Sequence, residues 1–170
     1  MTTFNEQCIA DKPLQELIQW KRDNYKGLSA LMGDVKNAEN VIRSAAEFRV
    51  IYHSTGRQTG NSTRVAKIFD IEKDILVVSS ALHINSFINL VEEQQGIKAK
   101  GKIRFIVISS TDFEHALKKA IRGQPVNTVF YDIGTDLLFK GNIASRIRLL
   151  TQLMEESLRD VEDKPIYVIT

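Results

Sequence analysis

The chain has 170 residues, about one domain's worth, and 43% of them are hydrophobic, so a sizeable core can be buried. Lys and Arg number 23 against 21 Asp and Glu, and this near-balance excludes a polybasic protein or an acidic tail but permits a local basic patch. The single cysteine, Cys8, excludes an intrachain disulfide framework, and no long apolar run predicts a membrane span, so we expect a cytoplasmic protein without membrane contact.

The amino-terminal part of the chain is predicted to be helical. Apolar residues recur at helical spacing across residues 13–47, beginning with Leu14 and Ile18. About 35 residues are too few for an independent core. We therefore expect residues 1–47 to form short helices packed on a core of residues 48–170, within a single domain.

Five short runs rich in β-branched and aromatic residues follow and are predicted to be strands. Four of them are almost continuously apolar, which is typical of strands covered on both faces, as in a parallel sheet. The runs span residues 48–53, 75–79, 103–108, 128–131 and 166–169.

Helix-length connections separate these strands. They are predicted to be helical over residues 62–69, 84–94, 112–121 and 142–158. Crossovers of this length favour right-handed parallel connections. The predicted fold is therefore an α/β three-layer sandwich with a mostly parallel five-stranded sheet.

The most informative segment is the connection after the first strand, residues 53–64, which has the sequence HSTGRQTGNSTR. Phosphate-binding loops lie in this context, where a buried strand gives way to a helix. Their glycines let several backbone N–H groups turn inward, and the N-terminus of the following helix adds the positive end of its dipole. Against the pattern G-x-x-x-x-G-K-[ST], Thr55 takes the first glycine position and Gly60 the second. Asn61 takes the lysine position, and Ser62 follows.

At this loop the chain resembles a known group of proteins. The run GRQTGNST of residues 56–63 is similar to the variant phosphate loop of the large terminase ATPases, which package viral DNA, and more distantly to that of superfamily-two helicases. Residues 74–80 resemble the next strand of those cores, and residues 117–132 resemble the stretch that leads into the Walker B strand. Residues 164–170 are similar to the strand that carries the helicase coupling motif.

The resemblance implies a RecA-like P-loop core that binds ATP and Mg²⁺. By this comparison Ser62 and Asp132 would hold the metal, and Asp132 and Arg57 would be the catalytic residues. Arg57 or Arg64 would approach the phosphates in place of the missing lysine. The nucleotide-binding residues would be Thr55, Gly56, Arg57, Gln58, Thr59, Gly60, Asn61, Ser62 and Thr63.

Two departures from the family fall at positions that carry the chemistry. Asn61 cannot supply the positive charge of the loop lysine. Ile133 follows Asp132 where these ATPases place the glutamate that polarises water, and Asp136 is out of strand register. We therefore expect a degenerate ATPase-like domain, related to viruses or mobile elements, that acts mainly by binding nucleic acid or a protein partner. We expect its binding of ATP and Mg²⁺ to be weak or absent, and its ATP hydrolysis to be weak or absent too.

Two other functions stay open at this point. One is an active nucleic-acid-dependent ATPase, and the other is a non-nucleotide interaction protein or homo-oligomer, suggested by the long apolar stripe of residues 143–158. The expected partners are a DNA or RNA backbone or another protein, including one in the host cell of a virus. Gly56 and Gly60 also fit an ordinary strand-to-helix turn, and Asp132 fits a helix N-cap.

The histidines and the clusters of basic residues are the remaining candidates for ligand contacts. The three histidines share no metal-ligand spacing, and we expect His53 to be half-buried with its hydrogen bonds satisfied. Basic residues gather in residues 98–104 and 118–122, and again at Arg146 and Arg148. They fit solvated faces or, if folding brings them together, a contact with a nucleic-acid backbone.

Overall fold

A computed structural model describes residues 14–24, 49–53, 60–133, 141–158, 161 and 163–170. Within these residues, strands and helices alternate as the sequence predicts. The strands are β1 (Val50–Tyr52), β2 (Ile75–Val78), β3 (Arg104–Val107), β4 (Thr128–Asp132) and β5 (Ile166–Ile169). The helices are α1 (residues 14–24), α2 (Asn61–Ile68), α3 (Leu82–Gln95), α4 (Phe113–Ile121) and α5 (Gly141–Ser157).

The five strands form one sheet in the order β1-β5-β4-β2-β3, and every pairing is parallel. The predicted five-stranded sheet is confirmed, and within the described residues it is fully parallel. The last strand of the chain, β5, lies between β1 and β4, because Tyr167 pairs with Val50 on one side and with Val129 on the other. This insertion determines which loops become neighbours at the two edges of the sheet.

Helices cover both faces of the sheet, because successive strand residues point to opposite sides and both sides are apolar. On one face, α4 and α5 pack against a core that includes Val77 and Tyr131. On the other face, α1, α2 and α3 pack against a core that includes Leu76 and Phe130. The result is the predicted three-layer arrangement of helices, sheet and helices.

Helix α1 is part of the second core. Leu14 and Ile18 are only 1% and 8% exposed. At its carboxyl end Arg22 Nη2 donates a hydrogen bond to the carbonyl oxygen of Asn127 over 3.3 Å, which ties α1 to the start of β4. The other amino-terminal helices predicted from the sequence fall outside the described residues.

A buried ion pair joins the start of β1 to α5. Arg49 has no exposed surface, contacts Glu155 through Nη2, and donates from Nη1 to the carbonyl oxygen of Pro165 over 2.7 Å. The hydroxyl of Tyr167 donates to the second oxygen of Glu155. Burial raises the pKa of Tyr167 well above its ordinary value, and the charge of Glu155 raises it further, so the phenol remains a donor. Breaking such a pair leaves a buried charge uncompensated.

A second buried carboxylate, Asp74, lies at the amino edge of the sheet. Its Oδ2 accepts the backbone N–H of Asp70 over 2.8 Å, and its Oδ1 accepts that of Thr128 over 3.1 Å. Burial raises the pKa of Asp74 to about 7, although these bonds and the charge of Arg22 act in the opposite direction. Asp74 borders a cavity of about 180 Å³ between α1 and the sheet, smaller than the roughly 300–1,000 Å³ of sites that hold drug-sized ligands. The cavity is therefore too small for a ligand of that size.

Candidate functional site

Polar residues follow several strands at the carboxyl edge of the sheet, where ligands of open α/β sheets bind. His53 follows β1 and its backbone N–H donates to the carbonyl oxygen of Ile169 over 2.8 Å. Thr170 follows β5 and its N–H donates to the carbonyl oxygen of Tyr131 over 3.0 Å. Because β5 lies between β1 and β4, His53, Thr170 and Asp132 lie on adjacent strands, and β1 and β4 are separated by about 10 Å.

The turn into α2 contains a glycine in the left-handed conformation. Gly60 has φ 74° and ψ 25°, and Asn61 begins the helix directly after it, one residue before the predicted start. A Cβ added at Gly60 would meet no atom of the described residues within 4 Å. The backbone angle, and not a lack of space, therefore explains the preference for glycine here.

The first turn of α2 contacts the end of β4. Ser62 Oγ donates a hydrogen bond to Asp132 Oδ2 over 2.7 Å, and both residues are half-buried. These are the two residues predicted to hold Mg²⁺, and the fold brings them together from positions 70 residues apart. A carboxylate and a hydroxyl are oxygen donors of the kind that Mg²⁺ prefers. Their role as metal ligands remains a prediction.

The other predicted loop residues divide between the described and undescribed parts of the chain. Asn61 and Thr63 lie beside Ser62 in the first turn of α2, and both are half-buried. Residues 55–59 lie outside the described residues, and so does Asp136. The phosphate contacts expected of Thr55, Gly56, Arg57, Gln58 and Thr59 therefore stay predictions.

His53 is half-buried, as expected. Its Nε2, however, has no hydrogen-bond partner among the described residues, whereas we expected the hydrogen bonds of the ring to be satisfied. Burial lowers the pKa of His53, and the positive charge of Arg64 lowers it further. The ring is therefore neutral at neutral pH. Arg64 lies about one turn beyond Asn61 in α2, close enough to His53 for its charge to act on the ring.

The position after Asp132 offers no catalytic acid. Ile133 is 3% exposed and belongs to the core formed with α4 and α5.

One polar pair at the same edge of the sheet could not be predicted from a motif. Ser79 follows β2, and its Oγ lies 3.2 Å from Nδ1 of His83. The spacing of four residues at the start of a helix was the available signal.

Within the described residues, no cluster of three or more His, Cys, Asp and Glu side chains could hold a metal ion. The pair of Ser62 and Asp132 is the smaller donor set that suits Mg²⁺, which usually keeps several waters and binds through one or two carboxylates and a substrate's phosphates. Across the same part of the chain, no helix combines the length and apolar character needed to cross a membrane.

The chain matches no protein-family model, and comparisons with curated proteins and with solved structures find no significant match.

Proposed function

We propose that this chain is a degenerate P-loop nucleotide-binding domain that binds ATP with Mg²⁺ and hydrolyses it slowly or not at all. The main support is the hydrogen bond of 2.7 Å between Ser62 Oγ and Asp132 Oδ2. This bond joins α2, the helix after the glycine loop, to the carboxyl end of β4, which lies two places from β1 in the sheet. In P-loop NTPases a loop Ser or Thr and a Walker B Asp share the Mg²⁺ ion.

The residues around Ser62 suit a phosphate group. Gly60 provides the left-handed turn that precedes the helix, and the first N–H groups of α2 provide donors with a favourable dipole. Arg64 adds a positive charge near the end of β1. Bound Mg²⁺ would supply positive charge beside the phosphates, and Ser62 and Asp132 would hold it there.

The same site is poorly equipped for hydrolysis. Asn61 cannot replace the charge of a lysine, and the buried Ile133 cannot orient or activate water. Phosphoryl transfer depends almost entirely on such positioning and electrostatics. By analogy with the loss of one oxyanion-hole donor, each missing group would cost about 10²–10³ in rate. Binding is thus the activity that the site supports best.

A titration with a fluorescent ATP analogue, with and without Mg²⁺, tests this proposal. We expect saturable Mg²⁺-dependent binding that weakens at least about tenfold in Ser62→Ala and in Asp132→Asn. Ser157→Ala removes a hydroxyl from the exposed end of α5 and serves as the matched control, with unchanged affinity. Absence of binding by the wild-type chain would overturn the proposal.

Phosphate release measured on the same samples separates binding from hydrolysis. We expect turnover near the background level, with or without added nucleic acid. Fast turnover stimulated by nucleic acid would instead support the active-ATPase alternative, and loss of that turnover in Arg57→Ala would assign the missing charge to Arg57.

A further inference from the structure

Two segments of the chain contain basic residues but no acids. Residues 96–111 contain four basic residues and no Asp or Glu, and residues 115–131 contain three basic residues and no Asp or Glu. The whole chain has a net charge of only +2, so this is a local concentration of charge. The first segment leads into β3, and the second includes the carboxyl half of α4.

The side chain of Arg104 holds these two segments together. Arg104 is the first residue of β3, and its Nη1 donates to the carbonyl oxygen of Ala120 in the last turn of α4 over 3.1 Å. Its Nη2 donates to the carbonyl oxygens of Pro125 and Glu72, each over 2.9 Å. The end of α4 is thereby attached to the beginning of β3, at the amino edge of the sheet.

The six remaining basic residues of these segments are all exposed, and we call them the basic surface. They are Lys98, Lys100, Lys102, Lys118, Lys119 and Arg122. Because α3 and α4 run back along the sheet after their strands, the carboxyl ends of both helices reach the amino edge. The two groups of cations therefore lie on either side of the start of β3.

The neighbouring acids do not neutralise this surface. The carboxylate of Glu92 accepts the backbone N–H groups of Ala99 and Lys100 over 2.8 and 3.0 Å, which fixes the turn before β3. These bonds, and then the charges of Lys100 and Lys98, lower the pKa of Glu92, so this one acid stays ionised beside the surface. Glu72, Glu93 and Glu114 are exposed, and Glu114 lies four residues before Lys118 on α4. These four acids together still leave the six cations with a net positive charge.

An exposed aromatic side chain lies on β3, the strand whose start separates the two groups of cations. Phe105 follows Arg104 on β3, at the end of the sheet opposite β1, and is 42% exposed. Exposed aromatic rings beside basic groups bind single strands, because bases stack on the rings while the cations contact phosphates.

We propose that the basic surface and Phe105 bind single-stranded nucleic acid. The surface lies at the opposite edge of the sheet from Ser62 and Asp132, so this inference does not depend on the proposed nucleotide site. Phe105 favours a single strand over a duplex, since the paired bases of a duplex are not available to stack on its ring.

Fluorescence anisotropy of the full chain with a labelled 20-nucleotide single strand, at several salt concentrations, tests the proposal. We expect binding that Lys118→Gln/Lys119→Gln and Lys100→Gln/Lys102→Gln each weaken several-fold. Each double variant should also reduce the slope of log K against log salt by about 1.4, or about 0.7 per lost phosphate contact. Lys21→Gln/Arg148→Gln removes the same charge from α1 and α5 and should leave binding nearly unchanged.

Phe105→Ala should weaken single-strand binding roughly fivefold or more. Tyr52→Ala removes a 78% exposed aromatic residue from β1, at the other end of the sheet, and should have no effect. Absence of binding at low salt, equal losses in the control variants, or retention of an acidic peptide but not of the oligonucleotide would each overturn the proposal. Equal affinity for a duplex together with an inert Phe105→Ala would overturn it as well.

Discussion

Ser62 and Asp132, 70 residues apart in the chain, are joined by a hydrogen bond of 2.7 Å between Ser62 Oγ and Asp132 Oδ2. The contact depends on β5, which separates β1 from β4 and sets the distance that α2 must cross. It links the helix after the glycine turn to the strand that carries the candidate metal ligand. The contact therefore also helps to hold α2 against the sheet.

Removing the hydroxyl should destabilise the fold modestly. A hydrogen bond to a charged group contributes about 1.5–3 kcal/mol, and partial exposure of both residues places Ser62→Ala near the lower end of that range. Urea unfolding monitored by circular dichroism would measure the change. Ser62→Thr keeps the hydroxyl and should lose less, so equal losses in the two variants would contradict the assigned contact.

Neutralising one member of the buried ion pair of Arg49 and Glu155 should lower the free energy of unfolding more than Ser62→Ala does. In Glu155→Gln the guanidinium of Arg49 stays buried without its counter-charge, and we expect a loss of about 3 kcal/mol or more. Glu156→Gln changes an exposed acid on the same helix and should alter the free energy of unfolding by about 0.5 kcal/mol or less. Urea unfolding of both variants would measure these changes.

Replacing both charges in Arg49→Met/Glu155→Leu should recover much of that loss, because no buried charge then remains unpaired. If the double variant were less stable than Glu155→Gln, the attraction within the pair, and not the uncompensated charge, would account for most of the lost free energy of unfolding.

Asp74 should make stability depend on pH. Burial raises its pKa from 3.8 to about 7, so the folded state binds the proton more tightly than the unfolded chain does. Its contribution is therefore greatest at low pH, declines as the pH rises above about 4, and becomes constant above about 7. Between pH 5 and pH 8 we expect a loss of about 2 kcal/mol from this group, measured by urea unfolding at each pH.

The comparison with Asp74→Asn isolates this effect, because other titrating groups contribute equally to both proteins. Both oxygens of Asp74 accept backbone N–H groups, so the Asn amide leaves one donor unsatisfied and costs about 1–3 kcal/mol at pH 5. The gap between the two proteins should shrink toward pH 8. A constant gap would argue against a raised pKa of Asp74.

Gly60 should tolerate a side chain sterically but not conformationally. A Cβ there meets none of the described residues, while φ 74° costs an L-residue about 1–2 kcal/mol. Gly60→Ala should therefore lower the free energy of unfolding by about 1 kcal/mol. Gly60→Asn should lose less, since Asn adopts this conformation more readily. Unchanged thermal unfolding of Gly60→Ala would contradict the left-handed turn.

Much of the local structure could be predicted from the sequence, because the period of the apolar residues is a local property. Continuous apolar runs such as Ile75–Val78 predict buried parallel strands, and spacings of three and four predict the helices between them. The glycine loop could be located for the same reason, since it lies where one pattern changes to the other. The side chains of Ser62 and Asp132 were selected by their positions in a motif.

Charge patterns in the sequence were less informative. Arg49 and Glu155 carry charges that normally indicate exposure, and nothing near them in the chain shows that they are buried together. Likewise, Lys98–Lys102 and Lys118–Arg122 fit two separate solvated faces until Arg104 is seen to join the end of α4 to the start of β3.

The sequence by itself determined the class of fold, the succession of its elements and the residues of the candidate loop. Tertiary structure alone decided that β5 lies between β1 and β4, that Ser62 contacts Asp132, and that Asp74 is desolvated. The physical reason is that helices and strands follow from interactions among near neighbours. Strand order, buried charge and shared edges follow from packing among segments that are far apart in the chain.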